Sequence, residues 1–152
     1  MVKKMKIMLV SDSHGNKSGI EKIFEKYKFD YLFHMGDGVK DLGLFANLEN
    51  VYCVAGNCDV FSAEGEEKII KLGGYTFLIT HGHRYSVKSN LNKIVSRGKE
   101  IGANFVCYGH THNANYIESD GLYIINPGAF QKGKCVMLSI DRGISIENIV
   151  IE

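Results

Sequence analysis

Proline is almost absent from this chain, with one residue in 152 against seventeen glycines. Its turns must be made by backbone that needs positive φ or close approach, as around a bound ligand, which hints at a site built from loops. Tryptophan is missing altogether. The eight tyrosines and eight phenylalanines fall mostly in strand or helix patterns, so they read as core rather than as a base-stacking platform. No Cys-x-x-Cys pair occurs among Cys53, Cys58, Cys107 and Cys135, and these are expected to be buried thiols rather than disulfides or a zinc site. Long apolar runs are also lacking. Ile7-Met8-Leu9-Val10 follows a basic start, Met1-Val2-Lys3-Lys4-Met5-Lys6, but ends at Ser11-Asp12. A secretory core needs about 7 to 15 apolar residues and a membrane span about 18, so a cytoplasmic protein without a membrane partner is expected. Excess charge of either sign is absent too. Eighteen Lys and Arg against seventeen Asp and Glu leave +1, which argues against a basic nucleic-acid surface. Lys17-Ser18 lacks the glycine framework of a P-loop, and no Gly-x-Gly-x-x-Gly occurs. With no internal repeat or linker, residues 1–152 are read as a single domain.

What is present has a clear order. A buried strand at Lys6 to Val10 is followed by Ile20, Ile23, Phe24 and Tyr27 at helical spacing. Strands at Tyr31 to Met35 and Val51 to Ala55 enclose a short helix expected from Leu42, Leu44, Phe45 and Leu48, which implies parallel strands with crossovers. Lys68 to Leu72 and Tyr75 to Ile79 flank Gly73-Gly74, the signature of a type I′ hairpin. Ser86 to Gly102 predicts a helix with an irregularity at Gly98, and Asn104 to Tyr108 another strand. Two hairpins complete the chain, Tyr116 to Ile125 around Ser119-Asp120-Gly121 and Cys135 to Ile151 around Asp141-Arg142-Gly143. The sum is an α/β fold of two packed mixed sheets flanked by helices.

Polar residues of one kind end these strands. Asp12 and His14 follow the first, Asp37 the second, Asn57 the third, His81 and His83 the hairpin, and His110 and His112 the strand after it. In α/β sheets the carboxyl ends of parallel strands line one crevice, so the side chains can converge. Carboxylate, amide and imidazole ligands without cysteine suit an open catalytic site for borderline divalent ions. A single catalytic zinc keeps about three protein ligands. The seven residues Asp12, His14, Asp37, Asn57, His81, His110 and His112 therefore predict two ions sharing a carboxylate.

Asp12-Ser13-His14, Gly36-Asp37, Gly56-Asn57, His81 and Gly109-His110-Thr111-His112 resemble, in order, the motifs of the calcineurin-like metallophosphoesterase superfamily. Gly56-Asn57-Cys58-Asp59, Thr80-His81-Gly82-His83-Arg84-Tyr85 and Asn126-Pro127-Gly128 look like its small bacterial and archaeal phosphodiesterases of the YfcE type. The resemblance spans roughly residues 5 to 130. It implies a metallophosphoesterase-like α/β sandwich. Asp12, His14, Asp37 and His112 would hold one ion, and Asp37, Asn57, His81 and His110 the other, with Asp37 bridging. It further implies attack on a small phosphodiester by a metal-bridging hydroxide, with Mn, Ni, Fe, Co or Zn as the ions, and a possible homodimer. Asp37 and Asn57 would then act in catalysis, and Asn57 would also touch substrate.

Two departures stand out. Many members carry, after Gly-Asn, a histidine thought to protonate the leaving group, and Cys58 stands here. Good leaving groups, or help from His83, are the expected answer. After Asn126-Pro127-Gly128 the chain continues Ala129-Phe130-Gln131-Lys132, where relatives often have serine and a later Pro-Arg pair. For His83, substrate contact or proton transfer stands beside a packing role, and for Arg84 a phosphate clamp stands beside a surface ion pair. His34, inside an apolar strand, is read as a hydrogen-bonded core residue. Asp41 and Asp59 are read as caps or partners of ligands. Alternatives to the phosphodiesterase are a phosphomonoesterase or nuclease of the superfamily, or a binding module like the retromer scaffold subunit of the same fold.

Overall fold

The computed structural model describes residues 4–152, so the start of the basic segment, Met1 to Lys3, lies outside the described residues. Ten strands and two α-helices form, in the order β1 (Met5–Val10), α1 (Lys17–Lys26), β2 (Tyr31–His34), β3 (Val51–Cys53), β4 (Glu67–Leu72), β5 (Tyr75–Thr80), α2 (Asn92–Glu100), β6 (Phe105–Cys107), β7 (Asn115–Ser119), β8 (Leu122–Asn126), β9 (Lys134–Ile140) and β10 (Ile144–Val150). One sheet runs β10-β9-β1-β2-β3 and the other β4-β5-β6-β8-β7. In the first, β1, β2 and β3 are parallel, while β9 and β10 are antiparallel additions. The second has parallel pairs β5/β6 and β6/β8, edged by antiparallel β4 and β7.

Strand alternation assigns every core residue to a layer. Ile7 and Leu9 of β1 and Phe33 of β2 face Phe77 and Ile79 of β5 and Phe105 of β6 between the sheets. The intervening Met8, Val10 and Leu32 turn outward under α1, against Ile20 and Ile23. Leu78, Val106 and Ile124 do the same under α2, against Ile94. Each fully buried side chain of this size contributes about 1.5–3 kcal/mol. The Gly73-Gly74 turn has φ of 59° and 88°, the two positive values a type I′ hairpin requires, and Leu72 pairs with Tyr75.

Two expected helices differ from the sequence reading. The segment expected as a short helix forms two 3₁₀ turns over Val39–Asn47, broken at Gly43 (φ 53°, ψ −130°), and it leaves Leu44 exposed. The helix expected from Ser86 shrinks to Asn92–Glu100, because Ser86 adopts a left-handed φ of 54° and the chain turns. Gly98 is no irregularity. It lies inside α2, where an added Cβ would come within 2.7 Å of Val106 and 2.9 Å of Leu122, so its missing side chain lets helix and sheet touch. Cys53, Cys107 and Cys135 are buried thiols as expected, with burial pushing the first and last up to about 12, whereas Cys58 is exposed. Among the described residues, no helix is long and apolar enough to cross a membrane.

Candidate metal centre

The loops after β1, β2, β5 and β6 meet at one end of the sandwich, and two carboxylates form the floor. Asp12 is wholly buried. Its Oδ2 accepts hydrogen bonds from Ser11 Oγ at 2.7 Å and the His110 amide at 3.0 Å. Its Oδ1 has no hydrogen-bond partner. Around that atom stand Nε2 of His112 at 3.2 Å, of His14 at 3.6 Å and of His81 at 3.8 Å. Asp37 Oδ1 accepts from the Cys58 amide at 2.8 Å, while Oδ2 faces His81 Nε2 at 3.2 Å and His14 Nε2 at 3.8 Å.

The His81 imidazole is aimed by its second nitrogen. His81 Nδ1–H donates to the Met35 carbonyl at 2.8 Å, which turns Nε2 inward, where it meets His110 Nδ1 at 3.2 Å. Two such nitrogens face each other comfortably only with a proton or a cation between them. Burial works to raise the Asp37 carboxyl, but the His81 side chain and the Cys58 amide outweigh it and hold the group well below the usual carboxylate range. Burial opposes protonation of His81, yet Asp37 and Asp12 carry its pKa upward, whereas burial and the His81 charge push His110 down. Two ligand groups result. Asp12, His14 and His112 form one, and Asp37, His81 and His110 the other, with the ligand atoms of each within 4.8 Å of one another. An orphaned carboxylate oxygen and converging imidazole nitrogens are what divalent ions of the borderline class bind, so the residues fit the metals the sequence implied.

This geometry is held against strain. Asp12, His14, Asp37, His110 and His112 all adopt left-handed φ, from 38° to 70°. Each such residue costs on the order of 1–3 kcal/mol and persists only where its surroundings over-determine it. The Asp59 carboxylate is one such constraint, accepting the backbone N–H groups of Asp37 (2.7 Å), Gly38 (2.8 Å), Val39 (3.2 Å) and Gly56 (2.8 Å). A relay supplies another. The Gly36 amide donates to His34 Nδ1 at 3.1 Å, so the ring's other nitrogen carries the hydrogen and gives it to Ser13 Oγ at 2.9 Å, which donates to Asp41 Oδ2 at 2.6 Å. That neutral tautomer agrees with burial pushing His34 down to about 4. His34, Asp41 and Asp59 are therefore partners beneath the floor, as read from the sequence. Asn126 Nδ2 donates to the Gly109 carbonyl at 3.2 Å, and the Phe130 and Gln131 amides tie the carbonyls of Ser11 and Asp12 at 2.8 and 2.9 Å. The divergent Ala129–Lys132 stretch thus braces the Asp12 turn through its backbone.

The rim differs from the floor. Asn57 follows β3 as expected, but it is exposed and its amide nitrogen points to Cys58 Sγ at 3.6 Å. His83 sits beside His81 and His110, with ring centroids 5.5 and 6.2 Å away, and its Nε2 binds Glu66 Oε2 at 2.5 Å. Arg84 is 71% exposed and pairs with the same Glu66 oxygen at 3.3 Å, the surface ion pair that the sequence reading set beside a phosphate clamp. Sequence reasoning missed Glu66 as a partner of His83. No local pattern links residues 66 and 83, although the β4/β5 hairpin register brings their neighbourhoods together.

Residues 5–141 match the calcineurin-like phosphoesterase superfamily domain. The chain belongs to that superfamily. It is 33% identical over 129 residues to the probable metallophosphoesterase YsnB of Bacillus subtilis, covering 84% of this chain and 76% of that protein. To phosphodiesterase MJ0936 of Methanocaldococcus jannaschii it is 33% identical over 144 residues, covering 82% and 83%. Among solved structures, a predicted phosphoesterase from Streptococcus pneumoniae superposes with a TM-score of 0.86 at 24% identity, covering 99% of this chain and 91% of that one. Vacuolar protein sorting 29 from Cryptosporidium parvum shares the fold at 15% identity, with a TM-score of 0.74 and coverage of 97% and 98%.

Proposed function

We propose that the protein is a dinuclear metal-dependent phosphodiesterase, a single domain over residues 1–152, that hydrolyses small phosphodiesters in the cytoplasm, alone or as a homodimer. One observation carries this reading: two adjacent carboxylate-plus-two-imidazole groups, one of them built on a buried carboxylate oxygen that has no other partner. Asp12, His14 and His112 would hold one ion. Asp37, His81 and His110 would hold the second, and Asp37 also lies toward the first group, with one oxygen facing both His14 and His81. Asn57 would join the second set. Two divalent ions of the Mn, Ni, Fe, Co or Zn class supply, when bound, a more acidic water and charge to offset the phosphate.

The chain's own groups do the rest. Asp37, kept ionised by His81 and the Cys58 amide, is ready to bind a cation without first losing a proton. The Met35 carbonyl fixes the His81 ring, a hydrogen bond of the kind that orients metal-binding histidines. Asn57 orients a phosphate oxygen. His83, whose Nε2–H is held by Glu66 and whose Nδ1 has no partner, gives as the imidazolium its Nδ1 proton to the departing oxygen and returns to the neutral ring, in place of the side chain that Cys58 does not provide. The phosphodiesterase name of the archaeal relative supports the diester over the monoester. A nuclease would need a basic groove, which a net charge of +1 does not favour.

The test is hydrolysis of bis-p-nitrophenyl phosphate by metal-stripped protein before and after Mn²⁺ addition, with His110→Ala as control. Metal-dependent turnover that the variant loses is the expected result. Protein that binds metal but turns over neither this diester nor p-nitrophenyl phosphate would instead act as a binding module. Faster turnover of the monoester would make it a phosphomonoesterase.

A further inference from the structure

Phe61 lies outside the strand and helix patterns that place most aromatic residues of this chain in its core. It stands fully exposed on the loop joining β3 to β4, and its neighbour Val60 is 67% exposed. Together with Val39, Lys40, Cys58, Ser62 and Asp59, whose carboxylate is turned to the backbone amides of Asp37, Gly38, Val39 and Gly56, they line a hollow of about 450 Å³, within the range of small-molecule sites. The hollow opens beside the candidate metal centre. The Cys58 amide donates to Asp37 Oδ1 at 2.8 Å, and the Val39 amide shares the Asp59 carboxylate with the amide of Asp37 itself. Two of the residues lining the hollow are therefore tied through their backbones to the turn that carries Asp37. Among the described residues Lys40 has no carboxylate partner, so its ammonium is available to an anion.

Resting on the phosphodiesterase reading, we propose that this hollow receives an aromatic ester arm, aryl or nucleobase-bearing, of the diester whose phosphate lies on the metal centre. The chemistry matches on both counts. Phe61, Val60 and Val39 offer apolar surface on which a flat ring can stack, which methyl-sized arms cannot exploit. Lys40 offers a counter-charge to the monoanionic diester. The site thus prefers diesters with at least one aromatic arm over dialkyl diesters, and Phe61 is the residue that sets the preference.

The experiment measures inhibition of bis-p-nitrophenyl phosphate hydrolysis by diphenyl phosphate and by dimethyl phosphate. The readout is the ratio of the two inhibition constants in the Mn²⁺-loaded wild-type protein, Phe61→Ala and Phe61→Trp. Diphenyl phosphate is expected to bind the wild type about five- to tenfold more tightly. Phe61→Ala brings the ratio close to one, Phe61→Trp keeps it, and bound metal is the same in all three. A ratio near one in the wild type, or one that survives Phe61→Ala, overturns the proposal while leaving the phosphodiesterase in place. Absence of metal-dependent turnover in the wild type is the separate result that removes both.

Discussion

The floor and the rim of the site are built on opposite terms. On the floor, Asp12 and Asp37 are buried, their backbones are strained, and each has one carboxylate oxygen tied by a backbone amide. On the rim, Asn57, Cys58, Phe61 and Arg84 are exposed and held by few contacts. Groups that must hold charge at fixed spacing are locked by the fold, while groups that meet varied substrates stand on loops free to differ. The local strain marks where positioning, not stability, shaped the chain.

The largest expected effect breaks the floor directly. Asp37→Asn removes the carboxylate between the two ligand groups and should lower metal-dependent diester hydrolysis by about 10³-fold or more, with loss of one metal equivalent read by elemental analysis. A drop of the same size in Phe61→Ala would erase the distinction between floor and rim.

The support beneath the floor gives a smaller effect with a definite sign. His34 is neutral in the fold, its pKa pushed from 6.5 down to about 4 by burial. In the unfolded chain it gains its proton near pH 6.5, so its contribution to stability is full above that pH and is lost as the pH falls toward 4. The loss reaches about 3 kcal/mol at the acid end. Urea unfolding of the metal-stripped protein at pH 7.5 and 4.5 measures it. His34→Gln should shrink the difference between the two pH values, and an unchanged difference would remove His34 from the account.

The rim supplies the smallest effect. Arg84→Ala gives up an exposed pair with Glu66 and should change diester kcat/KM less than about twofold. A tenfold fall would turn Arg84 into a substrate contact and move it to the other side of the comparison.

The floor was legible in the sequence because each ligand follows an apolar run that can only be a strand, and parallel strands end together. The order of elements likewise forecast two packed sheets, while the face each strand residue takes, with Phe77 and Leu78 on opposite sides, came only with the structure. What escaped depends on contacts between distant residues or on single dihedrals. Glu66 finds His83 only once β4 and β5 have paired, and the left-handed Ser86 cuts short a helix whose pattern reads as continuous. Asp59 was read as a supporting residue, but its four amide donors come from two separate turns that no spacing rule connects. Phe61 lay outside the strand and helix patterns from which most aromatic residues were read as core, and no spacing rule foretold that its loop would leave it in water.

Each ligand group draws on both sheets. Asp12 and His14 follow β1 and join His112 after β6, while Asp37 after β2 joins His81 and His110 from the opposite layer. An ion held by either group is thus a cross-link between the two halves of the sandwich, closing long stretches of chain as a disulfide would, though this cross-link can be removed by a chelator. Filling either group would then decide how firmly the layers stay clasped at that end, and the chemistry of the site and the cohesion of the fold would rise and fall together.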